Sequence, residues 1–316
     1  MNPVIVITGP TGAGKSALLY SLPRETPIEV INMDSRQMYA HMKIGTAIPQ
    51  PHELERFPHH LFGFLSPKEK YSAGQFLRSA ATAIKDILEK RHIPVLIGGT
   101  LFYLAALWDG LPPETQIPPD LEQEILSLSD KELSRRLLAA DPASSEKIPE
   151  GNRLRRERAL LVSLASGSPF SRQVRQNGLW ERYRFFAFSM EPDREELYRR
   201  INERTQSMFA AGLAEETDSL LTLGFGHSDP GLNTIGYAEI TEYLKTNNLR
   251  RAASLPPEAI ASLRDTIAMN TRRYAKRQLT WTRHEPRIKI VDPPQAMQYL
   301  SESLREAVSL LSTADL

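Results

Sequence analysis

The chain has 316 residues, 41% of them hydrophobic and 24% charged, with a formal net charge of +1 and no cysteine. That length exceeds what a single core usually organises, so a large core with a smaller second lobe is expected. No apolar run approaches the ~18 residues of a membrane span, and the missing cysteines exclude disulfides, thiolate metal sites and cysteine nucleophiles.

The first segment, Val4 to Thr8, is apolar and β-branched and passes into glycine-rich Gly9 to Gly14, then into helix-forming Lys15 to Ser21. A strand, a loop and a helix are predicted. There is no basic leader or small-residue cleavage pattern, so a cytoplasmic location is expected. Gly9, Pro10, Thr11, Gly12, Ala13, Gly14, Lys15 and Ser16 satisfy the pattern G-x-x-x-x-G-K-[ST] in full, in the strand-to-helix context it requires. Consecutive backbone N–H groups of such a loop converge on phosphate oxygens, the lysine adds a point charge and the Ser16 hydroxyl can ligate Mg²⁺. The expected ligand is a diphosphate or triphosphate. Mg²⁺ is the expected cofactor, held at Ser16 through phosphate oxygens and waters.

Ile28 to Met33 is the next predicted strand, and it delivers Asp34-Ser35 to the crevice beyond its carboxyl end. Asp34 is the candidate carboxylate there, with a helix N-cap as the alternative. Ser72 to Arg91 has helical spacing of Phe76, Ala80, Ala83, Ile84, Ile87 and Leu88, with Ser72 as N-cap. Pro94 to Ile97 reads as a strand, Gly98-Gly99-Thr100 as its sharp exit and Leu101 to Trp108 as a helix. The alternation predicts an α/β fold with a parallel sheet covered by helices. A P-loop kinase carries a metal-shell aspartate after such a later strand, whereas Thr100 follows this one.

Leu111 to Pro119 holds Pro112, Pro113, Pro118 and Pro119, and helical patterns without strands continue to about Gly178. This predicts a helical lobe over 113–182 inserted into a catalytic core of 1–112 and 183–316. Strand character returns over Tyr183 to Met190. Helices follow over Arg194 to Ala211 and Pro257 to Arg283, then a strand over Ile288 to Val291 and a helix over Pro294 to Leu311. Arg200 and Arg204 are four apart and share a helix face. Either could neutralise diphosphate charge or form a surface ion pair, and Arg204 is the preferred site residue. Two stretches, Gly151 to Arg184 and Arg264 to Lys289, each hold eight basic residues against two acids, which favours a polyanionic partner.

These residues bring the chain to a known family. GPTGAGKS at Gly9, NMDSRQMYAHMKIGTAIP at Asn32, PHHL at Pro58, YSAGQF at Tyr71, LIGGTLFYLAAL at Leu96, DP at Asp141, TIGYAEI at Thr234 and RRYAKRQLTW at Arg272 stand in one order along it. In this it resembles the tRNA dimethylallyltransferases, or tRNA isopentenyltransferases, over nearly its whole length. The resemblance implies a P-loop NTPase-like fold and transfer of a dimethylallyl group from its diphosphate to N6 of the adenosine on the 3′ side of the anticodon. Asp34, Thr100 and Arg204 would be catalytic. The tRNA anticodon stem-loop would meet Asp34, Ser35, Arg36, Gln37, Thr100, Arg155, Arg158, Lys276, Arg277, Gln278, Trp281 and Arg283. Trp281 is equally readable as a core residue. No membrane partner is expected, and a monomer is. The chain departs from the family's pattern at Ile48, Leu161, Asn233 and Ala238. Alternatives are a prenyltransferase of free adenosine phosphates, a P-loop small-molecule or nucleotide kinase, and an RNA-binding module with a vestigial phosphate loop.

Overall fold

A computed structural model describes residues 1–252 and 255–313. The elements follow the chain as β1 (Pro3–Thr8), α1 (Lys15–Tyr20), β2 (Ile28–Asn32), α2 (Pro51–Leu54), β3 (His59–His60), α3 (Ala73–Glu89), β4 (Ile93–Ile97) and α4 (Leu101–Asp109). They continue as α5 (Pro119–Ser127), α6 (Asp130–Ala140), α7 (Pro142–Lys147), α8 (Arg153–Ser166), β5 (Arg184–Met190), α9 (Arg194–Ala210), α10 (Leu213–Thr222) and α11 (Tyr237–Thr246). The last are α12 (Pro257–Arg283), β6 (Lys289–Val291) and α13 (Pro293–Thr313). Ser72 caps α3 as expected, accepting from the Gln75 N–H while the Gln75 side chain accepts from the Ser72 N–H, so two orphan donors are satisfied reciprocally. No helix among the described residues is long and apolar enough to cross a membrane.

Among the described residues, six strands form one sheet in the order β3-β2-β4-β1-β5-β6, parallel at every pairing. Every residue of β1, β2 and β4 is buried, as a parallel sheet covered on both faces demands. On one face Ile5, Ile7, Val95 and Phe188 pack with Leu300 and Leu304 of α13. Alternate residues point the other way, and α3 lies along β2 and β4. The two-residue strand β3 was not expected; it is too short to carry a periodic signal, and its pairing to Val30 and Ile31 defines it.

A charge sits buried in this sheet. Glu29 of β2 is 1% exposed, and it accepts from Lys90 at 3.1 Å and lies 2.7 Å from His60 and 2.9 Å from His92. Burial alone would raise its pKa, but the hydrogen bonds from these three side chains and the Lys90 charge outweigh it and hold the carboxyl below its usual 4.5. Because the folded pKa is depressed, the stabilisation is complete above about 4.5 and disappears as pH falls through the folded value. Glu29→Gln is expected to cost roughly 1–3 kcal/mol at neutral pH. Urea unfolding at a series of pH values should show the gap to wild type closing as pH falls below about 4.5 and through the depressed value of the folded carboxyl.

The chain separates into two compact units, Met1–Trp108 with Leu179–Leu316, and Asp109–Gly178. The second begins and ends four residues earlier than the 113–182 expected from its prolines. Trp180 explains the earlier end, because it stacks on Phe185 of β5 and meets Trp108 edge-on, and so belongs to the first unit. Within the second unit α5, α6, α7 and α8 enclose a core of Ile125, Leu133, Leu137, Ile148, Leu160 and Leu161. Its two ends pair through Leu111 and Gln176. Asp141 caps α7 through the Ser144 N–H and accepts from both the N–H and the hydroxyl of Ser171.

Candidate active site

The loop Gly9 to Ser16 leaves β1 and turns through positive φ at Gly9, Gly12 and Gly14 (134°, 84° and 96°) before α1 begins. Lys15 folds back over it, donating from Nζ to the carbonyls of Gly9 (3.0 Å) and Pro10 (2.9 Å). The N–H groups of Gly12, Gly14, Lys15 and Ser16 find no acceptor among the described residues. Ser16 is exposed, its hydroxyl available to a ligand.

Strand order places β4 between β1 and β2. The P-loop and the end of β2 are therefore two strand spacings apart, about 10 Å, and Gly98-Gly99-Thr100 lies between them. Asn32, fully buried, positions Asp34 by accepting from its N–H at 2.8 Å and donating to its carbonyl at 3.0 Å. Asp34 Oδ1 accepts the Arg36 N–H at 2.9 Å, and Oδ2 accepts no hydrogen bond among the described residues. The alternative N-cap role is not what is seen, since Asp34 opens a turn and no helix follows it before α2. Thr100 Oγ1 accepts from the Ser35 N–H at 2.9 Å and donates to the Ser35 hydroxyl at 3.2 Å, so the exits of β2 and β4 are joined beside the carboxylate.

From α9, Arg200 donates to Glu196 at 2.6 Å and to the Ala13 carbonyl at 3.3 Å, which commits it to the flank of the loop. Arg204 makes no hydrogen bond among the described residues. Its guanidinium is desolvated by burial and attracted by Asp34. Burial lowers the Lys15 ammonium to about 8, with Arg204 pressing the same way and Asp34 opposing. Lys15, Asp34 and Arg204 thus reach one another electrostatically from three elements.

The expected RNA-side residues separate by environment. Arg36 is half-buried and donates to the Pro230 carbonyl at 3.3 Å, while the Gln37 amide is spent on the carbonyls of Thr46 and Ala47 at 3.1 and 2.8 Å. On α12, Lys276 and Arg277 face solvent, Trp281 is half-buried, and Arg283 pairs with buried Glu191 at 3.1 Å. Gln278 is 4% exposed, on the buried stripe with Ala275 and Thr282. In the second unit, Arg153 is paired with Asp130 and Glu157, and buried Arg156 holds the Ile148 carbonyl. Arg155 and Arg158 are exposed and make no side-chain hydrogen bond or ion pair among the described residues.

Two contributors escaped the sequence reading. Tyr274 of α12 lies where both Asp34 and Thr100 influence it: burial first, then the Asp34 charge, push its phenol up to about 12, with Thr100 opposing. Glu216 of α10 accepts from the consecutive N–H groups of Lys43, Ile44 and Gly45 and from the Tyr237 hydroxyl. It anchors the loop that begins at Asp34. Tyr274 lies one helical turn before Gln278, a spacing that could have flagged it; Glu216 carries no local signal.

The IPP transferase family model matches residues 37–285, and an isopentenyl transferase model matches 2–60. The tRNA dimethylallyltransferase of Geobacter sulfurreducens is 37% identical over 304 residues, covering 94% of each chain. That of Levilactobacillus brevis is 35% identical, covering 99% of each. Among solved structures, the tRNA isopentenylpyrophosphate transferase of Bacillus halodurans superposes with a TM-score of 0.69 at 29% identity, covering 98% of this chain and 99% of that one. A eukaryotic dimethylallyltransferase acting on tRNA gives 0.77 at 25% identity, over 92% of this chain and 74% of that one. With near-complete coverage at this identity, and a P-loop set beside Asp34 and Thr100 on a parallel sheet, the chain belongs to the IPP transferase family.

Proposed function

We propose that this protein transfers the dimethylallyl group of dimethylallyl diphosphate to N6 of the adenosine 3′-adjacent to the anticodon in tRNA. One observation carries the reading: the P-loop, with Lys15 folded over it, and the carboxylate after β2 open at the same end of the sheet on either side of the Gly98-Gly99-Thr100 turn, with an unpaired guanidinium from α9 near both. Cations for a departing diphosphate therefore stand beside an acceptor for a proton. The diphosphate is held by Lys15, Arg204 and the N–H groups of Gly12, Gly14, Lys15 and Ser16. The residues fit Mg²⁺, with the exposed Ser16 hydroxyl as its protein ligand; when bound, the ion neutralises charge on the diphosphate.

The exocyclic amine of adenine is a weak nucleophile because its lone pair is delocalised into the ring. A carboxylate that removes its proton as the bond forms makes it competent. N6 bonds to C1 of the dimethylallyl group as the C1–O bond breaks, the N6 proton passes to Asp34 Oδ2, and the electron pair leaves on diphosphate. Thr100, oriented by Ser35, hydrogen-bonds the adenine beside Asp34. The adenine must leave the loop stack to reach them, at a few kcal/mol. Backbone contacts from Arg155, Arg158, Lys276 and Arg277 offset that cost.

A kinase reading lacks an acid after β4, where Thr100 instead serves the Ser35 junction. An enzyme of free adenosine phosphates has no use for exposed, unpaired Arg155 and Arg158. Incubating the protein with Mg²⁺, labelled dimethylallyl diphosphate and unmodified tRNA, then digesting with nuclease, should place the label on the adenosine beside the anticodon. Label incorporated into adenosine monophosphate in a parallel incubation, with none in intact tRNA, would reverse the choice. Replacing Arg155 and Arg158 together by alanine is expected to reduce the slope of log affinity for tRNA against log salt by about 1.4 to 1.8. Filter binding over about a sixfold range of salt reads it, and an unchanged slope would mean these side chains do not meet phosphates.

A further inference from the structure

Gln278 lies in the α12 segment whose neighbours Lys276 and Arg277 face solvent, yet its own side chain turns inward and is 4% exposed. Its Oε1 accepts the Thr11 N–H at 2.9 Å, and its Nε2 donates to the Gly99 carbonyl at 2.8 Å. Only one amide orientation satisfies both partners, because the first can only donate and the second only accept. The amide therefore cross-links the first half of the P-loop to the turn after β4. That turn carries Thr100. A Cβ added at Gly99 would overlap Gln278 Nε2, so any side chain there displaces the amide from this position.

We propose that Gln278 is a positioning residue of the diphosphate site and not an RNA contact. Engaging the Thr11 N–H fixes the loop where it leaves β1. The later N–H groups, which have no protein acceptor, are thereby held in one orientation before a ligand arrives. The same amide sets the Gly99-Thr100 turn, so loop and turn keep their spacing across β4. The Lys15 bonds to Gly9 and Pro10 brace the loop from within, and Gln278 braces it from outside. Loss of this brace leaves a backbone N–H and a buried carbonyl unpaired and lets the loop relax away from its binding shape.

The inference rests on the reading of the P-loop as a diphosphate site, so the test uses inorganic pyrophosphate with Mg²⁺ and needs no prenyl transfer. Gln278→Met keeps the volume and removes both hydrogen bonds. Gln278→Glu keeps an acceptor for Thr11 but sets an anion against the Gly99 carbonyl. Gly99→Ala expels the amide without touching α12. Calorimetry on the full chain should show pyrophosphate affinity reduced about tenfold in Gln278→Met, about 1.4 kcal/mol. Gly99→Ala should match it and Gln278→Glu should lose at least as much, while tRNA affinity stays within about twofold of wild type. Circular dichroism identifies any variant that fails to fold, and the folded ones decide. Unchanged pyrophosphate affinity, or a loss confined to tRNA, would overturn the clamp. If wild type itself did not bind pyrophosphate, the diphosphate reading would fall and the clamp's role with it.

Discussion

Replacing Asp34 by asparagine is expected to slow prenyl transfer by ~10²–10⁴-fold while tRNA affinity stays within about twofold of wild type. Asparagine is the informative choice because Asp34 has two separable jobs. Its Oδ1 accepts the Arg36 N–H and closes the turn after β2, a bond the asparagine oxygen can also make. Its Oδ2 accepts nothing from the described residues and is the oxygen that would take the N6 proton; an amide nitrogen there cannot. Backbone geometry, held from the other side by Asn32, should therefore survive while the base is lost. Single-turnover rates with enzyme in excess, beside a tRNA binding isotherm, separate these effects. A near-wild-type rate would remove Asp34 from the chemistry, and a matching loss of tRNA affinity would make it a structural or RNA-contact residue.

The second large effect belongs to Lys15. Lys15→Ala removes a cation from the site of the departing diphosphate and the two bonds that close the loop on itself. Such losses cost ~10²–10³-fold in transfer rate, with a raised KM for dimethylallyl diphosphate. Unaltered affinity would place the diphosphate elsewhere. The pH dependence is more specific. Burial lowers this ammonium to about 8, so in the unliganded protein the charge is present below that value and lost above it. Diphosphate affinity should fall as pH rises through about 8, and Lys15→Arg, whose guanidinium stays charged, should abolish that limb. Because the Asp34 charge favours the Lys15 ammonium, Asp34→Asn should move the limb to lower pH. A limb indifferent to both substitutions would belong to another group.

What could be read from sequence was whatever depends on local spacing. The P-loop shows itself because its glycines, lysine and serine must be consecutive. Asp34 shows itself because the carboxyl end of a parallel strand is where a crevice opens. Buried β-branched runs mark β1, β2 and β4, and the helical period of α12 gave its limits at Pro257 and Arg283. What depends on distant partners stayed hidden. The two basic stretches look uniform by composition, yet Arg283 is paired with Glu191, Arg184 with Glu306 and Arg153 with Asp130, so the exposed unpaired charge is smaller than the count suggests. Gln278 reads as one more polar residue among RNA-facing neighbours, because its partner at Thr11 is 267 positions away. The grip of Glu216 on Lys43 to Gly45 reaches more than 170 positions and leaves no trace in either segment. Arg204 and Arg200 are alike on the helix wheel, and only the Glu196 and Ala13 contacts of Arg200 tell them apart.

A crystal soaked with Mg²⁺ and a dimethylallyl thiodiphosphate, whose C–S bond resists cleavage, tests the geometry most directly. Its diphosphate oxygens should lie within about 3 Å of Lys15 Nζ and the N–H groups of Gly12, Gly14, Lys15 and Ser16, with C1 directed toward the Asp34 carboxylate. Density placing the diphosphate outside the loop, or C1 on the side away from Asp34, would contradict it.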